Sequence, residues 1–195
     1  MRSIVPTSTP SCPTPASGIQ AAPATLRPGP QALRIIEAEL CARIGKDLPP
    51  RATPYTHDEV AAAIAAIHPV LEACESRYLE PKSVDLLTNI ADTQSHSGLI
   101  TGVGRTDWQT IDLAKVSVEQ FVDGKLDASH TGHPAGDLVA QVMWMANVGA
   151  VWAGGLKAGQ FVTCGSWSGA NRVSPTAKVV LRFSSFKELT VTYAA

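Results

Sequence analysis

The chain is poor in charge, and the charge it has is balanced. Sixteen Lys and Arg stand against seventeen Asp and Glu in 195 residues, a charged content of 17%, so no general field exists to hold a polyanion or an anionic membrane surface. Nucleic acid is not expected as a partner. No apolar run approaches the roughly 20 residues of a membrane-spanning helix, and Pro6 breaks the opening residues before a signal-peptide apolar region can form. A soluble, cytoplasmic protein is expected. Cysteine is sparse and scattered: Cys12, Cys41, Cys74 and Cys164 include no Cys-x-x-Cys pair and have no His at zinc-finger spacing, which argues against structural zinc and for unpaired thiols. No internal repeat is visible.

What is present divides into two parts. Residues 1–30 are rich in Pro, Ser, Thr and Ala and show no apolar period, so they are expected to be mobile or draped over a domain formed by residues 31–195. From Ile35 to Ile44 the chain is apolar and β-branched with charges two apart, and Gly45 ends the run, which predicts a strand. Thr56 and Glu59 have the spacing of a capping box, so a helix begins there, and Pro69 is expected to end it near Ile67. Val70 to Glu75 is then extended, placing Glu72 on a strand. A short helix is predicted over Ser83 to Ala91 and a short strand over Gly98 to Gly102. Val116 to Val122 alternates before Asp123-Gly124, a strong hairpin turn. Ala135 to Val148 reads as a helix, and Phe161 to Cys164, Lys178 to Phe183 and Glu188 to Tyr193 as strands. Many strands with few helices predict a β-rich mixed α+β fold in which helices cover a curled, barrel-like sheet.

The sharpest chemical feature is Glu37 and Glu39 on one predicted strand, because alternation points both carboxylates to the same face. An isolated Glu-x-Glu is commonly a solvated strand face, but here Ile35, Ile36, Leu40 and Ile44 flank the pair. Adjacent carboxylates persist most readily around a cation, and oxygen donors of this kind suit magnesium or manganese.

Ile36-Glu37-Ala38-Glu39-Leu40, Gly45-Lys46-Asp47-Leu48-Pro49, Leu71-Glu72, Ala91-Asp92, Gly104-Arg105-Thr106-Asp107-Trp108, Thr131-Gly132-His133-Pro134-Ala135-Gly136-Asp137 and the run from Ala158 to Ser166 together resemble the fumarylacetoacetate hydrolase superfamily. The branch is that of the 2-keto-4-pentenoate hydratases and 4-oxalocrotonate decarboxylases. The resemblance implies a Mg2+ or Mn2+ site on Glu37, Glu39 and Glu72, and an oligomeric enzyme acting on a small-molecule 2-oxo acid or its dienol. It implies hydration of a 2-hydroxy-2,4-dienoate in aromatic catabolism, or decarboxylation of a 2-oxo-enedioate. Asp92 is the candidate catalytic residue, positioning water or ligand, or else a local helix cap. Gly165 and Ser166 are candidate substrate-binding residues, or else a strand-end turn. Members of the branch carry a substantial N-terminal region before the Glu-x-Glu strand, in whose place residues 1–30 stand. The expectation is therefore a complete metal platform with a reduced lid, and a truncated, non-catalytic paralogue acting as a subunit is the alternative from a different class.

Overall fold

The structure, a computed structural model, describes residues 4–5, 18–28, 32–133 and 136–194. Along the chain run β1 (Ile4–Val5), β2 (Gly18–Ala21), β3 (Ala24–Leu26), β4 (Ile35–Ile44), α1 (His57–Ala63), β5 (Ile64–Cys74), α2 (Leu86–Ala91), β6 (His96–Thr101), β7 (Ser117–Val122), β8 (Lys125–Thr131), α3 (Leu138–Trp144), β9 (Phe161–Thr163), β10 (Asn171–Arg172), β11 (Lys178–Phe183) and β12 (Leu189–Tyr193). The strands form two sheets. The larger has the order β1-β9-β4-β5-β6-β2 with β10 also on β4, and the smaller has the order β3-β12-β11-β7-β8.

The long antiparallel pair β4–β5 organises the larger sheet, with Ile36 opposite Ala73, Ala38 opposite Leu71 and Ala42 opposite Ile67. Those residues are fully or almost fully buried and share one core with Val118, Val179, Leu181, Leu189 and Val191 of the smaller sheet and with Leu138, Val139 and Val142 of α3. Burial of one face by the partner sheet leaves the other face of β4 and β5 to carry chemistry.

The β-rich mixed class is as expected; its strands divide between two sheets, with no closed barrel among the described residues. Element ends moved where long-range pairing competed with local preference. The capping box forms as the spacing predicts, Thr56 Oγ1 accepting from the Glu59 amide and Glu59 accepting from the Thr56 amide. The helix nevertheless ends at Ala63 and not near Ile67, because Ile64 and Ile67 pair with Ile44 and Ala42 of β4; tertiary pairing overrides the intrinsic helix preference of this Ala-rich stretch. Pro69 lies inside β5, opposite Leu40. It is tolerated near the end of the β6 pairing, where the Gly102 amide donates to the Pro69 carbonyl at 2.8 Å and the Gly102 carbonyl, left without the proline's missing N–H, accepts from His68 Nδ1 at 3.0 Å.

The helix predicted over Ala135 to Val148 is regular only from Leu138 to Trp144 and continues as a π-helical turn to Gly149; its expected start at Ala135 lies outside the described residues. The Asp123-Gly124 hairpin forms as read, with both residues at positive φ, 51° and 79°, as its turn type requires. Most of residues 1–30 lies outside the described residues. Gly18–Ala21 and Ala24–Leu26, however, are strands: β2 pairs parallel with β6 in one sheet and β3 parallel with β12 in the other. Their extended shape comes from those partners, which a search for an internal period cannot see. Cys41, Cys74 and Cys164 are buried and form no disulfide; Cys12 lies outside the described residues. Among the described residues no helix is long and apolar enough to cross a membrane.

Candidate metal centre

Alternation places the even-numbered residues of β4 in the shared core, so Glu37 and Glu39 project from the opposite face. The antiparallel register sets Glu72 of β5 directly across from Glu37, with Glu39 facing Val70. Directly opposed residues share a face, and the three carboxylates accordingly converge, offering oxygens within 4.8 Å of one another. Glu39 is 2% exposed and Glu72 8%, and Glu37 is half-buried. Beside them on the same face, Cys41, Val70 and Leu99 form a second, smaller apolar cluster with Ile19 and Phe161 packed on it.

Two neighbours fix the carboxylates. The Gly165 amide donates to Glu39 Oε2 at 3.1 Å, from a backbone at φ +99° that favours glycine. His96 Nδ1 donates to Glu72 Oε1 at 2.7 Å. Each contact holds one oxygen and orients the carboxyl group, the arrangement that supports metal ligands from outside the coordination sphere. Crowding shows in the electrostatics. Burial, then the charge of Glu72, push the Glu37 carboxyl up to about 7. Burial, followed by the charges of Glu72 and Glu37, hold Glu39 well above the usual carboxylate range, the Gly165 amide opposing. A buried, mutually repelling set of hard oxygen donors fits a divalent cation of the magnesium or manganese kind.

The other candidates take different places. The Asp92 side chain is buried, and it accepts from Ser76 Oγ at 2.6 Å, from Arg77 Nη1 at 2.6 Å and from the Arg77 amide. Burial would raise this carboxyl, but those hydrogen bonds win and hold it below the usual range. Its oxygens are not part of the cluster of three. Instead it joins the end of α2 to the chain leaving β5, ahead of a turn in which Thr93, Gln94 and Ser95 all have positive φ. Ser166 Oγ donates to the Gly169 carbonyl at 3.2 Å, within its own turn. Gly165 meets Glu39 at the carboxylates. The loop that carries them is laid along β4 by the Trp167 amide on the Ala38 carbonyl and the Ala38 amide on Ser168 Oγ.

A cavity of about 810 Å3 opens beside Glu37, with Leu33, Ile35, Val84, Leu86 and Arg172 among its walls. That is within the range of small-molecule sites, roughly 300–1,000 Å3. His96 is the residue beside the carboxylates that sequence reasoning missed: it stands alone in the polar run from Asp92 to Ser97, and only the pairing of β5 with β6 brings it to Glu72.

No family model matches the chain. A 4-oxalocrotonate decarboxylase of a Pseudomonas species is 30% identical over 151 residues, which is 74% of this chain and 54% of the relative. A 2-hydroxyhexa-2,4-dienoate hydratase of Comamonas testosteroni is 28% identical over 135 residues, 67% of this chain and 48% of the relative. The chain thus spans about half the length of the curated relatives it matches. Among solved structures, the 4-oxalocrotonate decarboxylase of Pseudomonas putida G7, complexed with magnesium and adipate, superposes with a TM-score of 0.77 at 22% identity, covering 90% of this chain and 66% of that one. A fumarylacetoacetate hydrolase family protein from Yersinia pestis CO92 gives a TM-score of 0.69 at 14% identity, covering 90% and 79%. By sequence the chain is a homologue of the 4-oxalocrotonate decarboxylases and dienoate hydratases, and by fold it stands with the fumarylacetoacetate hydrolase-type proteins.

Proposed function

We propose that the chain is a metal-dependent lyase that hydrates a 2-hydroxy-2,4-dienoate, with Glu37, Glu39 and Glu72 as the ligands of Mg2+ or Mn2+. The observation that carries the reading is the convergence of three largely buried carboxylates from two adjacent strands. A divalent cation bound there supplies Lewis acidity to the C2 oxygen of a 2-oxo acid and a template for its carboxylate. The chain's own residues do the rest. His96 and Gly165 hold Glu72 and Glu39 in fixed orientations, while Leu33, Ile35, Val84 and Leu86 give the conjugated chain an apolar wall. In the overall reaction the 2-hydroxyl proton is lost as C5 gains one, and water then adds its oxygen to C4 and a proton to C3, giving a 4-hydroxy-2-oxo acid. Asp92 is a positioning residue in this scheme, tying the 92–96 turn that carries His96 to the end of β5. The buried cysteines, in no disulfide, are in keeping with a cytoplasmic setting.

A second reading is decarboxylation of a 2-oxo-enedioate, which draws on the same electron sink at the C2 oxygen; the similarity to named 4-oxalocrotonate decarboxylases favours it. The test mixes the purified chain with Mg2+ and 2-hydroxypentadienoate and follows the dienol absorbance. Decay should be faster than with Glu39→Gln, which should also lose cation binding by titration calorimetry; equal decay overturns the hydratase assignment. Release of carbon dioxide from 4-oxalocrotonate marks the decarboxylase instead.

A further inference from the structure

The turn between α2 and β6 holds Thr93, Gln94 and Ser95 in the left-handed region, at φ 53°, 53° and 67°, and none of them is the glycine that adopts it without strain. Two of the three are accounted for inside the protein. Thr93 Oγ1 lies 2.7 Å from the Asp92 carbonyl and 3.2 Å from the His96 carbonyl. Ser95 donates its amide to the Asp92 carbonyl and accepts from the Glu75 amide, at 3.0 and 2.7 Å. The Gln94 side chain makes no hydrogen bond among the described residues. It is exposed and belongs to the wall of the cavity beside Glu37. The turn is fixed at both ends, by Asp92 on Ser76 and Arg77 and by His96 on Glu72, so the carboxamide is held at a set place relative to the carboxylate cluster. Asn89, the other carboxamide on that wall, stands on α2, a helix with no buried residue.

We infer that Gln94 positions the water that adds to the conjugated substrate, an inference that rests on the hydratase reading above. The Gln94 carbonyl oxygen accepts one O–H of the water and leaves an oxygen lone pair free for C4. The new O–C4 bond forms as the C3–C4 double bond gives its pair toward the C2 oxygen; the water loses a proton and C3 gains one. An uncharged holder suits this place, because a carboxylate would repel the anionic substrate and a cation would compete for its carboxylate. Glutamine orients attacking water by the same means in nucleotide hydrolases. The earlier proton shift, from the 2-hydroxyl to C5, needs no water at C4. Gln94 therefore bears on the second half of the reaction and not on the first.

The experiment gives 2-hydroxypentadienoate to the 195-residue chain in saturating Mg2+ and reads two rates. Loss of the dienol absorbance reports ketonisation to 2-oxo-3-pentenoate, and chromatography reports the appearance of 4-hydroxy-2-oxopentanoate. Gln94→Leu and Gln94→Gly should each slow formation of the hydroxy acid about a hundredfold, the scale of a misplaced reactant, while dienol loss falls by less than about threefold, so that 2-oxo-3-pentenoate accumulates. Glycine is at ease at φ 53°, so Gln94→Gly keeps the turn; its thermal midpoint should equal or exceed that of the wild type, with Mg2+ affinity by titration calorimetry unchanged. Hydroxy acid formation in either variant within about threefold of the wild type overturns the inference, since a positioned water is worth far more. Parallel loss of both rates, or loss of Mg2+ binding, marks a structural role and overturns it as well. A wild type that binds no Mg2+ or forms no hydroxy acid overturns the hydratase reading itself, and the inference with it.

Discussion

At the scale of single residues, the glutamate cluster makes the cation-free protein sensitive to pH in a direction opposite to that of an ordinary surface carboxylate. Glu37 titrates near 7 in the folded chain against 4.5 as its ordinary value. Between those values the native state keeps a proton that the unfolded chain has released, so the stabilising contribution is complete below 4.5 and is lost as pH rises through about 7. Glu39 shifts in the same direction. The midpoint of thermal unfolding without divalent cation should therefore fall between about pH 5 and about pH 8, and saturating Mg2+ should raise it more at the higher pH, where the ligands are charged. Differential scanning fluorimetry across that range checks the sign; a Mg2+ shift larger at the acid end contradicts it. The pair Glu37 and Glu39 was legible in sequence because alternation alone assigns their face. The partner of Glu72, His96, was not, because its approach depends on a register set between β5 and β6.

Elements show where local signals suffice and where they fail. Strand β4, the Thr56–Glu59 cap and the Asp123-Gly124 turn were legible because neighbours in sequence determine them. The end of α1, the strand character of Ile64 to Ile67, and strands β2 and β3 were not, since each is decided by a distant partner. Asp92 belongs to this scale. Its buried carboxylate gathers Ser76 and Arg77 and anchors a turn with three successive residues at positive φ, a conformation that costs of order 1–3 kcal/mol at each non-glycine position unless the surroundings hold it. Asp92→Asn should destabilise the chain by about 1.5–3 kcal/mol, the range for a hydrogen bond to a charged group, as measured by urea denaturation. Its effect on Mg2+ binding should be smaller than that of Glu39→Gln, since its oxygens are not part of the cluster of three carboxylates.

For the whole molecule, the two sheets share one core, and that sharing predicts cooperative behaviour. Leu181 of β11 is fully buried in the core that Leu71 of β5 also enters. Leu181→Ala should lower stability by about 2–5 kcal/mol, and tryptophan fluorescence and far-ultraviolet circular dichroism should report one coincident transition for both sheets. Separate transitions would show that the sheets unfold independently. The strand-rich class was legible because alternating segments dominate the sequence; the split into two sheets was not, since it is a matter of which edges meet.

The cavity walls and the carboxylate row come from different kinds of structure, and that separation has a consequence for how such a molecule can change. The acids stand on the paired interior of a sheet, where any shift of register would turn them away, whereas Val84 and Leu86 come from a loop and a short outer helix and Arg172 from a two-residue edge strand. Substitutions on those outlying pieces can reshape the cavity while leaving the carboxylate floor untouched, by single steps that no core residue has to accommodate.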